Sequence, residues 1–168
     1  NFRYVALGDS ICRGYGLDDP SERCYASLIN QWLSRRYDYV FHDNLGVDGL
    51  ESRELLSYLT DPSQKEYNKY TKTLKDADLV TVSIGSNDLM HLLNISGDID
   101  EMISDNKEKF AQACREFGGI FPKIVQAIKR VAPDAVIVVG NVYNPCHGLE
   151  SFKEVYQVAD YYIFELNK

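Results

Sequence analysis

The sequence has no surplus of positive charge, no long apolar run and no paired-cysteine motif, and each lack removes a class of function. Acidic residues outnumber basic ones, 25 to 18, giving a formal net charge of −7. Lysines and arginines are dispersed, as Lys123, Lys129 and Arg130 are, so there is no basic face to follow a phosphate backbone, and nucleic acid is not an expected partner. No apolar stretch is long enough to cross a bilayer, and the N-terminus lacks the charged-then-apolar order of a signal peptide. Asn1 is not an initiator Met, so an earlier leader is compatible with the chain and cellular location stays open. Cys12, Cys24, Cys114 and Cys146 follow neither a CxxC nor a Cys/His metal spacing. They are expected as free thiols, with Cys12 and Cys24 the one local pairing to check, and neither metal nor cofactor is expected. GxGxxG after the first strand and GxxxxGK[ST] are both missing, which argues against a flavodoxin-like nucleotide or flavin carrier. Repeats, low-complexity tracts and a second compositional unit are also missing, so residues 1–168 read as a single domain.

What is present is an ordinary globular composition, 45% apolar and 26% charged. Tyr4-Val5-Ala6-Leu7 is a short apolar run closed by Gly8, the mark of a fully buried strand. Asp19-Pro20-Ser21-Glu22 carries helix-start signals, and Tyr25, Leu28, Ile29, Trp32 and Leu33 then mark one helical face, so one helix is expected from the proline onward. Tyr39-Val40-Phe41 begins a second strand that runs into the glycine turn Gly46-Val47-Asp48-Gly49, and a helix is expected over 52–59. Residues 61–76 are polar and aperiodic, a surface excursion or an irregular helix. Leu79 to Ile84 is a third strand, closed by Gly85. Phe110, Cys114, Phe117, Phe121, Ile124, Ile128 and Val131 step by three and four along one helical side, with a kink or break expected at Pro122. Ala135 to Val139 reads as a fourth buried strand, and Phe152, Val155, Tyr156, Ala159, Tyr162, Ile163 and Leu166 as a further helix. Alternating strands and helices predict a three-layer α/β/α, flavodoxin-like domain with a parallel sheet.

In an open parallel sheet the residues just after each strand share one rim, where ligands bind. Here strand one ends in Gly8-Asp9-Ser10, strand two in the Gly46–Gly49 turn and strand three in Gly85-Ser86-Asn87-Asp88. A hydroxyl, bare backbone amides and a carboxamide are the parts acyl transfer needs, a nucleophile and donors to an oxyanion. Gly-Asp-Ser, a glycine turn and Gly-x-Asn-Asp, in this order and each after a strand, resemble the first three sequence blocks of the SGNH (GDSL-type) serine hydrolases. Most of the chain follows the family's element order.

The resemblance implies a serine esterase or acylhydrolase that cleaves an ester or thioester through an acyl-enzyme, without a cofactor. It implies Ser10 as nucleophile and first oxyanion donor through its N–H, with Asn87 donating through its side chain. Gly49 is the expected second donor, favoured over Gly46 by its spacing from Asn44. Asp9, Gly46 and His147 are expected beside the substrate, a small-molecule ester. The resemblance also implies strand two beside strand one, and strand one beside strand three.

The family's Asp-x-x-His block, which supplies the base, has no match after the last strand. Asp88-Leu89-Met90-His91 fits the string but overlaps the third block, so His91 is expected on a loop or the surface. His42 is expected to be structural, and no acid partner is evident for any histidine. A remaining helix, a fifth strand and the Asp/His loop are therefore expected past residue 168, and the 168-residue form is expected to be weakly active or inactive. Asp9 and Asp88 read as loop acids that cap helices. The alternative is a non-catalytic SGNH-like module that binds acyl or glycan groups. The particular ester and the oligomeric state are not readable.

Overall fold

A computed structural model of the chain describes residues 1–92, 99–144 and 153–168, with the side chains of 99–106 and 153–158 outside the description. Four strands, β1 (Phe2–Gly8), β2 (Val40–Gly46), β3 (Leu79–Ser83) and β4 (Val136–Val139), form one parallel sheet in the order β2-β1-β3-β4. The register sets Gly8 opposite Gly46 on one side and Ser83 on the other, so the three strand ends lie level.

The pleat of β1 explains the layers. Val5 and Leu7 point into a large core and Tyr4 and Ala6 into a smaller one on the opposite face. The large core is closed by α4 (Ser52–Thr60), α5 (Tyr67–Leu74), α7 (Ile99–Val131) and α8 (Lys153–Leu166), which supply Leu55, Tyr70, Ile124 and Leu166. The smaller is closed by α1 (Ser10–Arg13) and α3 (Tyr25–Leu33), through Cys12, Ala26 and Leu33. Tyr4 ends in this second core with its hydroxyl 2.9 Å from that of Thr81, which satisfies both polar atoms. Two short helices remain, α2 (Pro20–Arg23) and α6 (Ser86–Met90). The three-layer α/β/α arrangement and the expected strand order are as read from the sequence.

Four details differ. The single helix expected from Pro20 is two, because Cys24 takes extended backbone (φ −65°, ψ 155°) and caps α3 by accepting the Ser27 N–H at its sulfur. The buried face of α3 is correspondingly Ala26, Ser27 and Leu33, while Leu28 and Trp32 face solvent and Arg36 stacks on the Trp32 ring at 3.6 Å. Residues 61–76 hold a regular helix, α5, whose Tyr70 and Leu74 are fully buried. Its Tyr70 hydroxyl donates to the Leu45 carbonyl at 3.1 Å. Helix α7 runs unbroken through Pro122, with Phe110, Phe117, Ile124 and Ile128 buried along the expected side. Finally, β4 is an edge strand whose Val136, Val138 and Val139 are exposed, not the buried strand its composition suggests. No helix among the described residues is long and apolar enough to cross a membrane.

Candidate active site

Ser10 is the first residue of α1, directly behind Asp9, which caps that helix by accepting the Ile11 N–H at 2.9 Å. The Ser10 carbonyl accepts N–H bonds from Gly14 and Tyr15, both at 2.9 Å, so the turn after β1 is closed at both ends. Half-burial leaves Ser10 at the surface, whereas Asp9 is 1% exposed and its Oδ2 has no hydrogen-bond partner among the described residues. Burial raises the Asp9 pKa, the negative charge of Asp88 raises it further, and the Ile11 N–H counters both.

The second loop is stapled to the first. Asn44 Nδ2 donates to the Cys12 carbonyl at 2.8 Å, and its Oδ1 accepts from the Cys12 thiol at 3.3 Å and from the Gly46 N–H at 2.9 Å. Arg13 and Asp48 form an ion pair across the same gap, and the Val47 N–H reaches the Gly8 carbonyl at 3.0 Å. Gly46 lies so close to α1 that a Cβ there would sit 2.6 Å from the Arg13 nitrogen. Gly49 has the opposite requirement: its φ of +78°, inside a turn closed by Leu50 N–H to Val47 C=O at 3.2 Å, is what glycine permits, and the space around it is open. The Gly46 N–H is thus committed to Asn44.

The third loop closes on both. Asp9 N–H donates to the Ser83 carbonyl at 3.1 Å. In α6, Asn87 Nδ2 donates to the Leu50 carbonyl at 3.0 Å, which leaves its second amide hydrogen uncommitted to that bond. Asp88 accepts the Ser52 N–H at 3.0 Å and the Ser52 hydroxyl, joining α6 to the start of α4. Burial raises the Asp88 pKa, and the two Ser52 bonds oppose it. His91, the residue after α6, pairs its Nδ1 with Glu51. That acid partner is not evident from the sequence, since Glu51 lies 40 residues upstream. Asn44 and Ser52 are likewise absent from the sequence-based set of site residues. Only the asparagine-to-glycine spacing hints at Asn44, and nothing marks Ser52.

The other histidines separate. His42 lies in β2, stacked on the Tyr4 ring at 4.7 Å, and burial lowers its pKa, which keeps it neutral and structural. His147, with Cys146, lies outside the described residues. Cys12, Cys24 and Cys114 carry free thiols, that of Cys12 pushed up to about 12 by burial. Among the described residues no three His, Cys, Asp or Glu side chains are grouped to hold a metal ion. A cleft of about 480 Å³ lies between α4, α6 and α7, lined by Glu51, Asp88, His91 and Gln112 among others. Neither Ser10, Gly49 nor Asn87 lines it; the cleft is bounded by the start of α4, by α6 and by α7.

Comparison with known proteins gives a concordant result. A sequence profile of the GDSL-like lipase/acylhydrolase family matches residues 6–162. The uncharacterized protein YpmR of Bacillus subtilis (strain 168) is 30% identical over 143 residues, 84% of this chain and 51% of its own. The chain thus spans about half the length of the curated relative it matches. Among solved structures, the lipase Lip_vut3 from a goat rumen metagenome superposes with a TM-score of 0.65 at 24% identity, over 99% of this chain and 73% of that one. The extracellular lipase of Streptomyces rimosus gives 0.65 at 19%, also over 99% and 73%. At these identities the two structures speak to the fold.

Proposed function

Because the chain belongs to the GDSL-like lipase/acylhydrolase family, we propose that it is the nucleophile-bearing part of a serine esterase whose acyl-enzyme forms on Ser10. The supporting observation is the convergence of the three post-strand loops, tied together through Gly8 and Val47, Asp9 and Ser83, and Asn87 and Leu50. In this reading Ser10 Oγ attacks the ester carbonyl carbon and its proton passes to a base. The carbonyl oxygen becomes an oxyanion held by the N–H groups of Ser10 and Gly49 and by the second Asn87 amide hydrogen. Collapse breaks the ester C–O bond, and the alcohol leaves with the proton from the base. Water, deprotonated by the same base, then releases the acid and restores Ser10. Asp9 caps α1 under the nucleophile, and Gly46 sets the approach of α1 to β2. His147 is proposed at the substrate's edge.

The base and its acid partner are proposed to be an Asp-x-x-His pair from polypeptide beyond residue 168. His42 is packed in the sheet, and His91 lines a cleft that Ser10 does not, which supports looking elsewhere. The test compares turnover of p-nitrophenyl acetate by the 168-residue form and by a longer natural form. The longer form is expected to hydrolyse the ester, to lose that activity in Ser10→Ala, and to exceed the short form. Equal turnover by both forms would reject the external base, and full activity in Ser10→Ala would reject the esterase.

A further inference from the structure

Two of the groups proposed to hold the oxyanion come from loops that are distant in sequence, Gly49 before α4 and Asn87 in α6. Their separation depends on what ties α4 to α6. The Asn87–Leu50 bond is one tie, but it is made by the donor's own side chain. The His91–Glu51 pair is a second, and it is largely exposed, a setting in which an ion pair contributes little. The third is of another kind. Ser52 is fully buried, and a half-buried Asp88 carboxylate takes both its backbone N–H and its hydroxyl, one on each oxygen. Charge-assisted bonds made in pairs fix orientation as well as distance.

The location of this clamp matters more than its strength. Ser52 is the first residue of α4, three positions after Gly49, and Asp88 directly follows Asn87 on α6. The helix α4 is already capped by its own residues, since the Glu54 carboxylate accepts the Glu51 N–H at 3.2 Å. That capping box serves the Glu51 and Glu54 N–H groups, while the buried Ser52 N–H takes its partner from Asp88, whose own burial carries a cost that the raised pKa reflects.

We infer that Asp88 is a positioning residue for the ester-cleaving reaction: by gripping Ser52 it sets the distance between the Gly49 N–H and the Asn87 amide. This rests on the esterase reading above. It gives Asp88 no contact with substrate and no proton to transfer. An isosteric amide, which can accept the Ser52 N–H and donate to the Ser52 hydroxyl, should then serve nearly as well as the acid.

The experiment is a double-mutant cycle on p-nitrophenyl acetate hydrolysis by the full-length natural protein, using Asp88→Ala, Asp88→Asn and Asn87→Ala, with Tm measured for each variant. Misplacing a donor by a fraction of an ångström is expected to lower kcat about 10- to 100-fold in Asp88→Ala with KM little changed. Asp88→Asn is expected to stay within about threefold of the parent, a difference below 1 kcal/mol. In the Asn87→Ala background, with that donor already gone, Asp88→Ala is expected to cost no more than about twofold, within the scatter at which independent changes add. Equal losses from Asp88→Ala in both backgrounds would overturn the inference, because the clamp would then act on the fold and not on the donor. Equal loss in Asp88→Asn and Asp88→Ala would overturn it too, because the charge itself would be needed. Should Asp88→Ala not fold, Ser52→Ala, which removes only the hydroxyl, takes its place in the same cycle. A parallel Ser10→Ala variant separates the two levels. If it keeps activity, the esterase reading fails, whereas if it is inactive and the cycle is additive, only the clamp fails.

Discussion

At the scale of single residues, two acids and two amides, Asp9, Asp88, Asn44 and Asn87, make the side-chain bonds at the three loops described above. Asp9 is the least comfortable of them, buried with one carboxylate oxygen unpartnered. Its pKa is raised in the fold, so the native state holds a proton more tightly than the unfolded chain does. The linkage sign follows: stability falls as pH rises from the unfolded value through the folded one, and the full cost is present above the folded value. Asp9→Asn keeps the helix cap, since asparagine accepts the Ile11 N–H as well as aspartate does. The variant is therefore expected to have a higher Tm than the parent at pH 7, with the gap closing as the pH is lowered toward the ordinary carboxylate range. Paired thermal melts across pH check this, and a gap that widens on acidification would refute it. Asn87→Ala is expected to lower turnover about 100- to 1,000-fold, the usual loss for one oxyanion donor, with a lowered Tm from the lost bond to the Leu50 carbonyl. Asn44 carries a structural burden that its spacing alone does not reveal. Asn44→Ala leaves the Gly46 N–H and the Cys12 carbonyl without partners and is expected to cost about 1–3 kcal/mol in denaturant unfolding.

At the scale of elements, legibility in the sequence follows the source of each element's stability. Strand β1 and the long face of α7 were readable because burial of a continuous or periodic apolar set is itself a sequence pattern. Helix α5 was not, because only Tyr70 and Leu74 face the core and the rest of the segment is polar. Leu74→Ala is expected to destabilise by about 2–5 kcal/mol, the cost of emptying a core site, where a surface excursion would show almost nothing. The split between α2 and α3 depends on the Cys24 sulfur acting as a cap and on the packing of Cys24 near Gly14, where an added Cβ would come within 2.7 Å of the Cys24 Cβ. Composition does not carry that tertiary contact. Strand β4 shows the converse failure. A valine-rich run reads as buried whether its faces are covered or open, and here they are open. In the 168-residue chain Val138→Thr is expected to change stability by no more than about 0.5 kcal/mol, as for other exposed positions.

At the scale of the whole molecule, the loops that carry the proposed site residues were legible because they follow strand ends, and strand ends in a parallel sheet share a rim. Ser10, Gly49 and Asn87 are separated in sequence by 39 and 38 positions, yet the level ends of β1, β2 and β3 bring their loops into contact. What was not legible is the set of groups that fasten the loops to one another. The Asp88–Ser52 clamp, the Asn44 staple and the Glu51–His91 pair depend on distances between loops, which no local spacing encodes. Backbone topology thus brings the three loops to one place, and the side chains of Asp88, Ser52 and Asn44 fasten them to their neighbours. The most direct measurement is peptide mapping by mass spectrometry after treating the full-length natural protein with a fluorophosphonate. The expected result is one adduct, on the peptide that contains Ser10, absent in Ser10→Ala and formed about 100-fold more slowly in Asn87→Ala. An adduct on a different serine, or labelling of Ser10 at the same rate without the Asn87 amide, would contradict it.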